Sequence, residues 1–358
     1  MPELAALGGF DAKGPACFLL EIDGRRLLLD LGQGPDGGRR PDLEGVGPVD
    51  AILVSHGHGD HVGALDLVER LGNPPIHATA PVRALAADPR LRDAHDLPRD
   101  GMVAGVRIET GRAGHAPGAV WMRLGGPGGL LYSGDFAAAS RLFPVDPMRH
   151  AQVAVLDCSY GVLPEALDSQ TRALLAAIGA GPCLLPAPPA GRGLELALAC
   201  LEAGPSVRLC DQTRHTAEVL RGFGDWLTPP GAKALERLLH HAGPLDPEGP
   251  LADVMIAGGP NCGSGAAQVL GPRAIAAGVP LIFTGHLSQG SPAAGWVAEG
   301  RARRMGWNVH PDRATLSRAL EQVRPTRALA GFAPPDRRRA VAAAFPGIRW
   351  SDDGRIAW

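Results

Sequence analysis

Ser55-His56-Gly57-His58-Gly59-Asp60-His61-Val62-Gly63-Ala64-Leu65 follows directly on the apolar run 51–54 and sets three imidazoles and a carboxylate in an H-x-H-x-D-H array. Neutral imidazole and carboxylate are the nitrogen and oxygen donors that zinc prefers, and a catalytic zinc site keeps one coordination position open for water. The glycines between the ligands allow backbone angles closed to other residues, which is what a turn folded around an ion requires. Four donors this close cannot all reach one ion from a short turn, so the natural geometry is two neighbouring ions sharing the stretch. The array therefore reads as a metal site at the end of a strand.

Working outward, Val62, Leu65, Val68 and Leu71 recur at helical spacing, which puts the array on a strand-to-helix turn. Upstream, the apolar runs 17–22 and 26–31 are joined by Asp23-Gly24, a strong hairpin signal. A Gly- and Pro-rich loop over 32–48 leads into the strand before the array. Downstream, strand-like runs at 106–109, 120–124, 129–132 and 153–156 give a sheet-rich first half. From about residue 164 the texture changes to helices alternating with short buried strands, at 183–185, 253–257 and 281–284, with a helix over 194–200. That alternation predicts a small parallel α/β unit.

The array resembles the signature of the metallo-β-lactamase superfamily, and further motifs of that family follow in order. Ala113-Gly114-His115-Ala116-Pro117 is similar to its third motif, and Leu131-Tyr132-Ser133-Gly134-Asp135-Phe136 to its fourth. Leu28-Leu29-Asp30-Leu31-Gly32 resembles the first. The resemblance implies an αββα sandwich holding two zinc ions, one bound by His56, His58 and His115, the other by Asp60 and His61, with Asp135 bridging. Asp30 is implied as a support that orients the ligands, as carboxylates behind metal-bound imidazoles do.

Three glycine-rich loops resemble the inserted cap of the β-CASP branch, the nucleic-acid-processing members of that superfamily. Gly191-Arg192-Gly193-Leu194-Glu195-Leu196 and Thr284-Gly285-His286 carry the likeness, together with Gly258-Gly259-Pro260. Arg192, Gly193, Gly259, Gly285 and His286 are the substrate-binding candidates, because glycine-rich strand-to-helix turns can present N–H groups to phosphate. Leu156-Asp157-Cys158-Ser159-Tyr160-Gly161 and Asn308-Val309-His310-Pro311-Asp312 resemble two more motifs of the branch. They imply that Asp157 orients His310, which donates a proton to the leaving oxygen; at the metal site, Asp60 or Asp135 is the candidate acceptor of a hydrogen bond from the attacking water. The chain departs from the branch at Gly331, which stands where a final histidine ligand is usual, and no histidine follows His310. The expectation is a weakened second zinc site.

The resemblance implies a core of residues 1–165 and 303–358 with a β-CASP-like α/β cap at 166–302, and a zinc-dependent nuclease acting on single-stranded RNA or DNA. A small-molecule hydrolase of the same fold, and a scaffold that binds nucleic acid with weakened catalysis, are the competing readings. A formal net charge of −2 argues against nonspecific attraction to nucleic acid, and only Lys13 and Lys233 are lysines, so nearly every cation is an arginine suited to phosphate. Arg301-Ala302-Arg303-Arg304 and Arg337-Arg338-Arg339 are local basic groups. No apolar stretch approaches the roughly 18 residues of a membrane span, and the start lacks a secretory pattern. Six cysteines form no C-x-x-C pair, which argues against a disulfide framework and a zinc knuckle and points to buried thiols in a reducing, cytoplasmic setting. A homodimer stays open, and the tail 348–358 reads as a closing hairpin.

Overall fold

Asp23 and Gly24 both take positive φ, 52° and 72°, and turn the chain between antiparallel strands Cys17–Ile22 and Arg25–Leu29. That is the backbone an Asp-Gly hairpin demands, because its twist matches that of the strands it joins. The computed structural model describes residues 1–179 and 181–358. They divide into two units, one of Met1–Ala138, Pro144–Pro164 and His310–Trp358, the other of Ala139–Phe143 and Glu165–Val309.

In the first unit the hairpin belongs to a seven-stranded sheet. From edge to edge it runs Arg355–Ala357, Glu3–Gly8, Cys17–Ile22, Arg25–Leu29, Ala51–Leu53, Ile76–Ala78 and His95–Asp96. A second sheet runs Arg349–Trp350, Arg327–Gly331, Val153–Asp157, Leu130–Tyr132, Val120–Leu124, Val106–Arg112 and Asp100–Val103. Side chains alternate between faces along each strand. Cys17, Leu19, Leu28 and Ile52 pack outward under Leu65, Val68, Leu71 and Val82. Phe18 points the other way, its ring 5.6 Å from that of Tyr132 in the second sheet and 5.9 Å from that of Phe332, which follows strand Arg327–Gly331 of that sheet. The outer face of that second sheet is covered by Leu316, Leu320, Val323 and Val341. Helical layers thus flank two facing sheets, the αββα sandwich.

Parallel pairing gives the sandwich one chemically distinct end. Arg25–Leu29 runs parallel to Ala51–Leu53, and Leu130–Tyr132, Val153–Asp157 and Arg327–Gly331 run parallel to one another. Their C-terminal ends release Asp30, the 55–61 array, Asp135, Cys158 and Phe332. Beyond the array the helix is short, Gly59–Val62, and a 3₁₀ segment, Leu65–Leu71, follows it. The three-residue spacing of buried Leu65, Val68 and Leu71 is the period of a 3₁₀ helix, so one face is buried at each turn. The tail is not a hairpin. Arg349–Trp350 joins the second sheet parallel to Arg327–Gly331, whereas Arg355–Ala357 joins the first sheet antiparallel to Glu3–Gly8. Each segment finds an open sheet edge, which satisfies more backbone groups than pairing with its neighbour alone.

The second unit is built on a four-stranded parallel sheet in the order Cys183–Ala187, Val254–Gly258, Val207–Leu209, Gly243–Pro244. Helices cover both faces, as parallel sheets require. Leu185 and Ile256 pack with Leu174, Leu198 and Leu238, while Leu184 and Met255 pack with Ala267, Leu270 and Ala274. Trp307 and Val309 are buried in the first of these clusters, as are Leu142 and Phe143 of the strap Ala139–Phe143. Buried Glu195 holds the strap, accepting from Ser140 Oγ and from the amides of Leu142 at 3.2 Å and Arg141 at 3.4 Å.

Candidate metal centre

The first unit's ligand end is organised by Asp30, itself in a left-handed conformation with φ 60°. Its carboxylate is fully buried and accepts from four donors: Ser55 N and Oγ at 2.7 Å each, His61 Nδ1 at 2.7 Å and the Tyr132 hydroxyl at 2.5 Å. A carboxylate can only accept, so the bond to His61 fixes a proton on Nδ1 and makes Nε2 the nitrogen that faces the site. That nitrogen lies 3.3 Å from Asp135 Oδ1. Gly32 sets how closely the array approaches: a Cβ there would fall 1.7 Å from the Asp60 carbonyl oxygen. The main chain adds bonds from Leu31 N to His61 O and from Ala16 N to Asp60 O.

Among the described residues, three sets of three side chains converge closely enough to hold an ion: His56, His58 and His115; His56, His61 and Asp135; and His115, Asp135 and His310. His58 Nδ1 stands 3.1 Å from both His56 Nε2 and His115 Nε2. One ring proton cannot serve two acceptors at once, whereas a cation takes all three lone pairs. Burial, reinforced by His61 and His58, holds the His56 imidazole well below its ordinary pKa, in the neutral form that ligates metal. Burial works to raise the Asp135 carboxyl, but His61 and His310 outweigh it and keep the group ionised, well below the usual range. Burial lowers His61, but Asp135 and Asp30 overcome it and raise that imidazole. Sets of three nitrogens and of two nitrogens with a carboxylate fit a zinc-type ion.

Asp135 belongs to two of the three sets. Asp60 belongs to none; it sits half-exposed in the first turn of Gly59–Val62. Asp157 and His310, 153 positions apart, meet with Nδ1 and Oδ2 at 2.8 Å. Asp157 is oriented by Ser159, whose amide and hydroxyl both donate to Oδ1, and by the amide of Phe136. With Nδ1 facing Asp157, the other nitrogen of His310, Nε2, lies 3.1 Å from Lys13 Nζ. The ring of Tyr160 stacks on His310 at 5.2 Å.

Gly331 ends its strand, and a Cβ there would lie 3.3 Å from both the Leu156 carbonyl and Val155 Cγ1. The next residue, Phe332, adopts φ 59° and sets its buried ring 5.2 Å from that of His61. Lys13, Ser55, Ser159 and Phe332 stand at the site without a motif that marks them for it in the sequence. Their signals were slight: Ser55 touches the array in sequence, and Lys13 is one of two lysines.

The substrate-contact candidates of the second unit each have local partners. A Cβ on Gly285 would strike Arg192 Nη1 at 1.9 Å, one on Gly193 would lie 2.7 Å from the Pro188 carbonyl, and one on Gly259 would meet the Ser264 carbonyl at 1.9 Å. Arg192 is buried at the start of helix Arg192–Ala203, and His286 is half-buried.

The family model of the metallo-beta-lactamase superfamily matches residues 11–182. A transcription termination factor, FttA, of Cenarchaeum symbiosum is 25% identical over 248 residues, 54% of this chain and 38% of that protein. Ribonuclease TTHA0252 of Thermus thermophilus is 32% identical over 180 residues, 42% of each chain. The chain therefore spans less than half the length of these curated relatives. A crystal structure of a protein of unknown function from Enterococcus faecalis V583 superposes over 100% of both chains with a TM-score of 0.61 at 13% identity, a likeness of fold.

Proposed function

Because the chain belongs to the metallo-β-lactamase superfamily and to its β-CASP branch, we propose that it is a zinc-dependent phosphodiester hydrolase that cuts single-stranded nucleic acid, RNA in the first instance. The observation that carries this reading is the convergence of buried His56 and His115 with half-buried His58, beside buried Asp135. A relative named as a ribonuclease supports RNA as substrate.

In this reading His56, His58 and His115 hold the first ion, and His61 with Asp135 holds the second. Asp60, in the first turn of helix Gly59–Val62, is assigned there too. When bound there, such ions would supply Lewis-acid chemistry, lowering the pKa of a water and offsetting charge on phosphoryl oxygens. The protein groups do the rest. Asp30 keeps the His61 lone pair aimed at the site. Asp157 orients His310 through Nδ1, so that Nε2 is the nitrogen offered to the leaving oxygen. Gly331 supplies no donor, and the ring of Phe332 lies beside His61, so the second ion is held more weakly than the first. Arg192, Gly193, Gly259, Gly285 and His286 are assigned to the nucleic-acid strand. All six cysteines are free and buried, which supports a reducing compartment such as the cytoplasm. No helix among the described residues is long and apolar enough to cross a membrane.

The test is cleavage of single-stranded RNA and DNA with and without chelator, beside a panel of small esters. Chelator-sensitive cleavage of RNA that disappears in His58→Ala is the expected result. Ester turnover alone, or tight RNA binding without turnover, would replace this reading with the small-molecule hydrolase or the scaffold.

A further inference from the structure

We propose that His77 and His95 form a separate metal site at the edge of the first sheet, taking a divalent transition-metal ion of the copper, nickel or zinc class with water completing its shell. Both residues belong to the first unit, and binding there needs no hydrolase activity.

The two histidines are placed by the sheet. Strands Ile76–Ala78 and His95–Asp96 pair in parallel with His77 directly opposite His95, so both side chains leave the same face of neighbouring strands. Their ring centres are 5.3 Å apart. The rings of His56, His58 and His115, which converge as a ligand set, have centres 4.7, 5.0 and 5.0 Å apart. Such spacing suits two imidazoles that each bring a nitrogen to about 2.0–2.1 Å from one ion.

One of the two rings is already set for ligation. His77 Nδ1 lies 3.1 Å from the carbonyl oxygen of Asp96. A carbonyl can only accept, so in the neutral ring the proton sits on Nδ1 and the lone pair on Nε2. Metal-bound imidazoles are generally oriented in this way, by a bond from the other nitrogen to a carbonyl or carboxylate. Burial, opposed by the Asp96 bond and helped by His95, holds His77 below its ordinary 6.5, in the neutral form that ligates metal. His77 is half-buried and His95 exposed, which leaves water to fill the rest of the shell.

The outermost strand is fixed, so backbone geometry carries His95 to its partner. Leu97 N donates to Ala78 O at 3.1 Å, and Arg83 donates to Ala94 O at 3.1 Å while pairing with the Asp96 carboxylate. Ala94 and Leu97, on either side of the strand, are buried. With Asp96 engaged by Arg83, the two nitrogens define the site. In the usual order of divalent affinities copper(II) binds such nitrogens most tightly. An ion there would clamp the edge strand to its neighbour, whose His77 carbonyl accepts from Val54 N, just before the 55–61 array. Another close pair, His240 and His241, has ring centres 4.7 Å apart but stands consecutively at the end of helix Pro229–His241, with no strands to set it. It serves as a control.

The experiment uses full-length protein loaded with zinc, dialysed to remove loosely held ions, and titrated with copper(II). Binding is read by electron paramagnetic resonance, with released zinc measured alongside. Wild type is expected to take copper without releasing zinc and to show hyperfine splitting from two nitrogens. His95→Ala and His77→Gln should each weaken that binding by about tenfold or more, because the second nitrogen acts at high effective concentration. The double variant His240→Ala, His241→Ala should match wild type. As His95 is exposed, His95→Ala should keep the melting temperature and the zinc content. In wild type alone, copper should slow hydrogen exchange at the Leu97 amide, the readout of the clamp. Copper binding unchanged in His95→Ala, copper that enters only as zinc leaves, or binding lost in the His240 and His241 variant overturns the proposal.

Discussion

Asp30 in the first unit and Glu195 in the second are both buried carboxylates that gather hydrogen-bond donors from a neighbouring loop, yet they serve different ends. The donors around Glu195 are a hydroxyl and two backbone amides, so the network closes on the strap and stops there. Among the donors to Asp30 is His61 Nδ1, whose ring carries the effect on to Asp135. The lesson is that a buried acid becomes part of a reactive site when one of its partners has a second functional atom to aim. By that measure the chemistry of this chain resides in the first unit.

The largest effect should come from removing a donor that two of the three sets share. His115→Ala is expected to lower metal content, read by atomic absorption, and to cut RNA cleavage by about a thousandfold or more; treatment with chelator should do the same to wild type. Glu195→Gln, the corresponding change in the second unit, should leave both readouts near wild type. An equal loss in the two variants would break the contrast.

Next in size is His310→Ala, expected to lower kcat by about a hundred- to ten-thousandfold with metal retained. Because His310 also converges with His115 and Asp135, a parallel loss of metal would reassign it from proton donor to ligand. Smaller again is Asp30→Asn, which keeps the shape but spoils the acceptor. It should weaken metal binding about ten- to a hundredfold in a competitive chelator titration, the size of effect known for groups behind metal ligands.

The smallest effects concern pH. Burial, opposed by Ser140 and the amides of Leu142 and Arg141, lifts the Glu195 carboxyl above its ordinary 4.5. The folded state then holds the proton more tightly than the unfolded chain, so the stability contributed by Glu195 is full below that ordinary value. It is lost as pH rises through the raised one. Asp146 in the first unit runs the other way. Burial pushes it up, but the hydrogen bonds and charge of Arg112 outweigh burial and hold it below 3.8. Its contribution is present above 3.8 and is lost as pH falls through the lowered value. Urea melts across pH 3–7 should therefore show Glu195→Gln flattening the decline on the higher-pH side and Asp146→Asn flattening the acid limb. The same change in slope from both variants would refute the assignment.

Much of this arrangement was legible in the chain. Asp23-Gly24, the alternating apolar runs and the 55–65 array locate strands and ligand loop because each is a local pattern, set by backbone geometry within a few residues. His115 and Asp135 were legible by resemblance, and the structure brings both against the array. Asp60 was expected beside them, but as the first-turn residue of a short helix it lies outside the three sets, which spacing alone does not reveal. The tail misled because two short segments close in sequence suggest a hairpin, and only the presence of two open sheet edges sends them apart.

By itself, then, the sequence determined which donors are available, that the array follows a strand, and that helices alternate with parallel strands after residue 164. Those features depend on side-chain chemistry and on periods of two or three to four residues, which any short window displays. Tertiary structure alone decided that Lys13 meets His310, that Asp30 is the common acceptor for Ser55, His61 and Tyr132, and that a phenylalanine ring lies beside His61. Such meetings join positions up to 297 apart, and they exist because the strands of two facing sheets bring their connecting loops to one end.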